Sequence, residues 1–291
     1  MITLAAYAKI NLTLEVLGKR NDGYHDIASV VQTIDLADTL SFEENDEVRL
    51  LCETPSLSSP DNLVVKATML LREATGCSKG VMIHLEKAIP IAAGLGGGSS
   101  DAATTLRGLN ELWGLNLPFS QLLQLASELG SDVPFFLIGG TALVEGRGER
   151  VTPLPSLPSA WLVLLKPPLD IPNKTARLYA ALEEADFTTG QWTQRLIALL
   201  RQGGSANSPL LFNVFERAAF AFYPGLYDYR QQFLVAGAAS VHLAGAGPTL
   251  FTLVEERGSG DELCQRLWGR GLEAYLFQTI GLEPSPHSKG R

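Results

Sequence analysis

Apolar and polar residues alternate from Lys9 to Leu17, with Ile10, Leu12, Leu14 and Val16 on one face and Lys9, Asn11, Thr13 and Glu15 on the other. A period of two predicts a half-buried strand. It also sets Lys9 and Asn11 on the same side, about 7 Å apart, where both can meet one ligand. A strand whose polar face meets only solvent has the same pattern, and for Lys9 taken alone that is the simpler reading. Gly18 to Gly23 is turn chemistry that delivers Tyr24 and His25, a stacking face and a hydrogen-bonding edge. Ile27 to Phe42, Glu47 to Cys52 and the alternating Val81, Ile83 and Leu85 predict further strands.

Helical spacing begins after Ser59-Pro60-Asp61-Asn62, with serine as the cap, proline in the first position and Leu63, Ala67, Leu70 and Leu71 on one face up to Gly76. Asn62 falls in that first turn, where it either caps the backbone or touches a nucleotide. Ala102, Leu106, Leu109 and Trp113 share a second helical face, and Phe119 to Leu129 is a third helix, ended by Gly130. Asp132 then has two readings: N-cap of the segment starting at Val133, or a carboxylate presented at the end of an element.

Pro153, Pro155 and Pro158 interrupt regular structure between Val151 and Ser159, which divides the chain into domains 1–152 and 153–282. Beyond them Trp161 to Leu165 is an apolar strand. Helices follow at Lys174 to Leu182, Trp192 to Leu200, Leu210 to Phe220, Leu226 to Val235 and Asp261 to Trp268. Strands fall at Ser240 to Leu243, Thr249 to Val254 and Ala274 to Thr279. The alternation predicts an α+β second half, and 283–291 has the composition of a loose tail.

Between the Val81–Leu85 strand and the Ala102 helix stands Pro90-Ile-Ala-Ala-Gly-Leu-Gly-Gly-Gly-Ser-Ser-Asp101. Glycines there let backbone N–H groups turn inward around an anion, and a helix capped by Ser99 or Ser100 adds its positive end. The stretch is neither a Walker A loop, since no Gly-Lys-Ser/Thr follows, nor Gly-x-Gly-x-x-Gly, since Ser99 stands where the last glycine belongs.

The chain has 291 residues, 46% of them hydrophobic and 19% charged, which suits a two-domain globular protein. No apolar run approaches a membrane span, and Met1-Ile2-Thr3-Leu4 lacks the basic start of a secretory signal, so the cytoplasm is the expected compartment. Three widely spaced cysteines, Cys52, Cys77 and Cys264, argue against a disulfide framework or a zinc knot. A net charge of -8 without a Lys/Arg cluster opposes nucleic-acid binding and leaves room for a local basic pocket that takes a phosphorylated metabolite.

Ala8-Lys9-Ile10-Asn11-Leu12, Pro90 to Asp101 and Leu243-Ala244-Gly245-Ala246-Gly247-Pro248, in this order, resemble the GHMP family of small-molecule kinases. Arg20 to His25, Asp61-Asn62-Leu63 and Gly130 to Phe136 resemble the branch that acts on a cytidine diphosphate-linked methylerythritol. The resemblance implies an α+β, two-domain GHMP kinase fold, with a ribosomal-protein-like α/β domain, a ferredoxin-like α+β domain and the active site in the cleft between them.

It implies ATP contacts from Pro90, Ala92, Ala93, Gly94, Leu95, Gly96, Gly97, Gly98, Ser99 and Ser100, with Asn62 and Leu63 near the base and ribose. Lys9 and Asp132 would be catalytic and flank the acceptor hydroxyl. Asn11, Tyr24, His25, Thr175 and Tyr179 would bind the acceptor substrate. Mg²⁺ would be held mainly by the nucleotide, with Ser99 or Ser100 nearby and no protein metal site of its own. Asp101, by contrast, is explained by the dipole of its helix. Another small-molecule kinase of the family, acting on a mevalonate derivative, a sugar or homoserine, and a non-catalytic sensor are the alternatives. The third motif lacks the hydroxyls common in the family, since Ala244 and Ala246 replace them, so only its backbone donors carry over.

Overall fold

A computed structural model describes residues 1–54, 57–204 and 210–281, so the reading of 283–291 as a loose tail lies outside the described residues. The first sheet is organised on β3 (His25–Asn45), a strand of 21 residues. β1 (Ile2–Asn11) and then β2 (Thr13–Lys19) pair along one of its edges, while β5 (Gly80–Glu86) and β6 (Thr141–Gly146) share the other. β4 (Val48–Cys52) runs parallel to β5, and β7 (Arg150–Pro153) pairs with β6.

The alternation at Lys9–Leu17 is divided at Leu12 between β1 and β2, and its polar face is not solvated. Lys9, Asn11, Thr13 and Glu15 are all buried, because later parts of the chain cover them. Glu15, fully enclosed, accepts from the N–H groups of Trp192 and Thr193 at the start of a helix in the second half. A buried carboxylate is tolerable there because backbone donors satisfy it.

α1 (Leu63–Thr75), α2 (Gly97–Leu112), α3 (Phe119–Leu129) and α4 (Val133–Ile138) gather on one face of this sheet, with α2 against β1 and β3. Ala102, Leu106 and Leu109 of α2 share a core with Leu40, Phe42 and Ile83. A Cβ on Gly108 would lie 2.6 Å from the Phe42 ring, so the helix backbone packs directly on that side chain there. The cap of α1 is Asn62 rather than Ser59. Its Oδ1 accepts from the Val64 N–H and its Nδ2 donates to the Leu57 carbonyl, which satisfies both ends of the amide. The cap of α2 is Gly96, in the left-handed region at φ 76°, so Ser99 and Ser100 lie inside the first turn instead of before it.

The second half holds β8 (Trp161–Leu165), α5 (Lys174–Ala180), α6 (Gln191–Arg201), β9 (Phe212–Asn213), α7 (Glu216–Phe222), α8 (Leu226–Val235), β10 (His242–Leu243), β11 (Leu250–Val254), α9 (Arg257–Trp268) and β12 (Ala274–Gln278). Its antiparallel sheet runs β10-β11-β8-β12. In chain order this is strands two, three, one and four of a β-α-β-β-α-β unit. α9 begins at Arg257, four residues before the predicted Asp261.

The helix predicted from Leu210 starts only at Glu216, because the preceding residues belong to a strand. β9 lies parallel to β2, with Phe212 N–H bonded to the Leu12 carbonyl and Val214 N–H to that of Leu14. The halves are joined again where Ile34 bridges Thr279 and the Gln32 amide donates to the Ile280 carbonyl. Among the described residues no helix is long and apolar enough to cross a membrane.

Candidate active site

The glycine loop connects β5 to α2 and is held from three sides. Asp38 Oδ1 accepts from the N–H groups of Ala88 and Ile89 at 2.6 and 2.7 Å, just before the loop. The Lys9 N–H donates to the Leu95 carbonyl at 3.0 Å, which fastens the loop to β1. On its outer side the loop touches the Ala244–Gly247 turn, where a Cβ on Gly94 would fall 2.0 Å from the Ala244 carbonyl oxygen. Ala92, Gly94 and Gly96 take φ values of 53°, 86° and 76°. These reversals coil the loop ahead of α2 and leave it open to an anion at the helix's positive end.

The loop forms one wall of a cleft of about 1280 Å³ that both halves of the chain line. Lys9, Asn11, Tyr24, His25, Asn62, Leu63, Asp132, Thr175 and Tyr179 all face it, as do Pro90, Ala92 to Gly98 and Ser99. Ser100 is set apart. It is buried on the side of α2 that meets β1, and its hydroxyl donates to the Tyr7 carbonyl at 2.7 Å.

Lys9 Nζ donates to Asn11 Oδ1 at 2.6 Å, Asn11 Nδ2 donates to Ser29 Oγ at 2.8 Å, and Ser29 Oγ donates to the Thr13 carbonyl. This chain of bonds fixes the ammonium at the end of a buried strand. Asp132 Oδ2 lies 3.9 Å from Lys9 Nζ, too far for a hydrogen bond, and both groups keep capacity for a ligand. Asp132 occupies the N-cap position of α4, yet its side chain makes no cap bond and is half exposed. Of its two readings, the structure has the presented carboxylate.

Opposite this pair the His25 ring stacks on Tyr179, with centroids 4.8 Å apart at 20°, and meets Phe187 edge-on. Burial holds the His25 imidazole below its ordinary range, with the charge of Lys19 acting in the same direction, so the ring is neutral at pH 7. Burial pushes the Tyr179 hydroxyl up to about 12, and the charge of Asp132 adds to the rise. Tyr24 is turned away from His25 and lies under the Arg147 guanidinium, 4.9 Å from its ring centroid. The two adjacent residues thus reach the cleft without forming a stacked pair with each other.

Three further contributors carry no motif in the sequence. Arg147 sits in the Gly-Arg-Gly turn, Lys174 opens α5, and Asn213 donates to the Leu243 and Gly245 carbonyls to support the third glycine turn. The charge balance follows from them. Lys9, Lys19, Lys87, Arg147 and Lys174 line the cleft against Asp101, Asp132 and Glu184, an excess of two positive charges in an acidic protein. Such a cleft draws a polyanion.

Asp101 does more than complement the dipole of α2. Lys87 Nζ lies 2.7 Å from its Oδ2 and also bonds Asp38, so one ammonium serves two buried carboxylates, and Asp101 Oδ1 finds no partner among the described residues. Burial pushes the Asp101 carboxyl up to about 7; Lys87 opposes that rise and Asp38 adds to it. From about pH 4 to about pH 7 the folded chain keeps a proton that the unfolded chain has lost, so this group's contribution to stability declines as pH rises. Asp101→Asn is therefore expected to gain stability relative to the unaltered chain on going from pH 5 to pH 8. Urea unfolding at the two pH values measures it, and an advantage that shrinks toward pH 8 would contradict the assignment.

Comparison with known proteins agrees with this architecture. Residues 62–140 match the family model described as the GHMP kinases N terminal domain, and residues 177–273 match that of the GHMP kinases C terminal. A protein of Dehalococcoides mccartyi named 4-diphosphocytidyl-2-C-methyl-D-erythritol kinase is 48% identical over 282 residues, 97% of this chain and 99% of that relative. A crystal structure of 4-(cytidine 5'-diphospho)-2C-methyl-D-erythritol kinase superposes with a TM-score of 0.82 at 35% identity, covering 97% of this chain and all of that one. A homoserine kinase from Cytophaga hutchinsonii shares the fold, with a TM-score of 0.74 at 19% identity over 96% of this chain and 94% of that one. With its glycine loop, its paired halves and near full-length similarity to these proteins, the chain belongs to the GHMP kinase family.

Proposed function

We propose that this kinase transfers the γ-phosphoryl group of ATP to the 2-hydroxyl of 4-diphosphocytidyl-2-C-methyl-D-erythritol, giving the 2-phosphate and ADP in the non-mevalonate route to isopentenyl diphosphate. The observation that carries the reading is Lys9 and Asp132 facing each other at 3.9 Å beside the glycine loop, with an aromatic shelf across the same cleft. Phosphoryl transfer depends on positioning and charge stabilisation. The glycine loop holds the ATP phosphates through backbone N–H groups, and Asn62 and Leu63 lie toward the nucleoside end.

Asp132 accepts the proton of the acceptor hydroxyl as it attacks, and Lys9 favours the ionised form of that carboxylate and offsets charge on the moving group. Tyr24 and the neutral His25 edge receive the cytosine, His25 backed by the Tyr179 ring it stacks on, with Thr175 as a further contact and Asn11 on the acceptor side. We place the domain boundary at 152/153, at the last residue of β7 and ahead of the first strand of the second sheet.

Among the described residues no three His, Cys, Asp or Glu side chains cluster as a metal site. Mg²⁺ carried in on the nucleotide would find Ser99, which lines the cleft, as an added oxygen ligand. When bound, the ion would neutralise phosphate charge. ADP release with Mg²⁺, ATP and each of 4-diphosphocytidyl-2-C-methyl-D-erythritol, mevalonate, galactose and homoserine tests the reading. Turnover with the cytidine compound alone is expected, and turnover with another of the panel in its place would remove the acceptor assignment.

A further inference from the structure

Beyond its charge in the cleft, Lys174 stands where the two halves of the nucleotide wall meet. Its Nζ donates to the Ala92 carbonyl, in the glycine loop, and to the Gly247 carbonyl, in the third glycine turn. These two segments touch already, since a Cβ on Gly245 would lie 2.8 Å from the Gly94 carbonyl oxygen. From the same half of the chain as Lys174, Tyr223 donates its hydroxyl to the Ala246 carbonyl at 3.1 Å, so the turn that Lys174 grips is itself held.

Ala92 is the unusual member of the loop. Its φ of 53° is in the left-handed region, which a residue with a Cβ rarely takes and glycine takes freely. A free loop with alanine at this position would leave that conformation for much of the time. The bond from Lys174 to the Ala92 carbonyl is the contact that opposes this. The ammonium is partly buried, and burial followed by the charge of Lys9 pulls it down to about 8, which still leaves most of it charged at pH 7. A charged lysine bonded to two carbonyls, one on each turn, is a strong and directional tie.

We infer that Lys174 is a positioning residue for nucleotide binding, which holds Ala92 left-handed and fixes the glycine loop against the third glycine turn before ATP arrives. The inference rests on the reading of the glycine loop as the phosphate cradle. Its consequence is preorganisation: the loop's N–H groups meet the phosphates without first being ordered.

Lys174→Met keeps the length of the stem and removes the donors. Calorimetric titration of ADP with Mg²⁺, in the absence of any acceptor, is expected to show binding weakened about tenfold, the usual scale of a lost charged hydrogen bond. Thermal unfolding of the same variant should remain cooperative and near that of the unaltered chain. Adding Ala92→Gly to Lys174→Met should restore most of the lost affinity, because glycine takes the left-handed conformation unaided. Unchanged ADP affinity in Lys174→Met would overturn the inference. So would a loss of affinity that Ala92→Gly does not repair, which would mark the lysine as a general structural tie. ADP binding that follows this pattern in a chain that does not turn over the cytidine acceptor would remove the acceptor assignment alone and leave the role of Lys174 standing.

Discussion

Replacing Asp132 by asparagine is expected to lower kcat by about a hundredfold to ten-thousandfold while leaving the KM for ATP nearly unchanged. The range is that of a positioned general base lost from a proton transfer. Asparagine has the same shape but cannot accept the proton, and it removes the charge that Lys9 Nζ faces at 3.9 Å. The fold should not notice the change. Asp132 is half exposed, and α4 takes no cap bond from its side chain, so neither packing nor helix termination depends on the carboxylate. The glycine loop is tied to β1 through the Lys9 backbone N–H, which the substitution does not touch, and nucleotide binding should survive. Steady-state ADP release and unfolding measured side by side separate these expectations. A variant that keeps full activity would remove Asp132 as the base, and one that unfolds would show its role to be structural.

The glycine loop and the Lys9–Asn11 spacing were legible from the chain alone because both are local. A glycine run before a helical period, or a period of two, carries its geometry in consecutive residues. What alternation does not state is what covers the second face of a strand. Thr13 and Glu15 alternate with leucine and valine as solvent-facing residues would, but the start of α6 lies over them and β9 pairs along the edge of their strand. β9 itself spans two residues, Phe212 and Asn213, too few for any period to register, and the apolar spacing around them continues smoothly into α7. Asn62 and Ser59 are both good caps by type, and Asn62, the one that caps, also donates its amide to the Leu57 carbonyl, a contact no local pattern announces. Lys174 and Arg147 are invisible for the same reason. Each acts on a loop far away in sequence, and nothing in its own neighbourhood marks it.

Gly94→Ala is expected to abolish measurable ADP binding and to lower the unfolding midpoint by several degrees, although it adds one methyl group to a loop. Two costs coincide at this position. The φ of 86° lies where a side chain strains the backbone, on the order of 1–2 kcal/mol. The new Cβ would also fall 2.0 Å from the Ala244 carbonyl oxygen and 2.9 Å from the Gly247 nitrogen, against 3.4 Å for ordinary contact. Both are backbone atoms, so no rotamer change relieves them. The turn that carries them is fixed by Asn213 on the Leu243 and Gly245 carbonyls and by the Gly247 N–H on that of Ala244. The glycine loop has to move instead, away from the third turn and from the carbonyl that Lys174 holds, and the overpacking adds about 1–3 kcal/mol. Gly98→Ala is the control. It lies inside the first turn of α2, its Cβ would meet only Leu63 Cδ1 at 3.8 Å, and alanine is the better helix former, so that variant should fold at least as well as the unaltered chain. Differential scanning calorimetry with and without ADP reads both variants. If Gly94→Ala melts and binds as the unaltered chain does, the two glycine turns are not in contact, and the tie assigned to Lys174 has nothing to hold together.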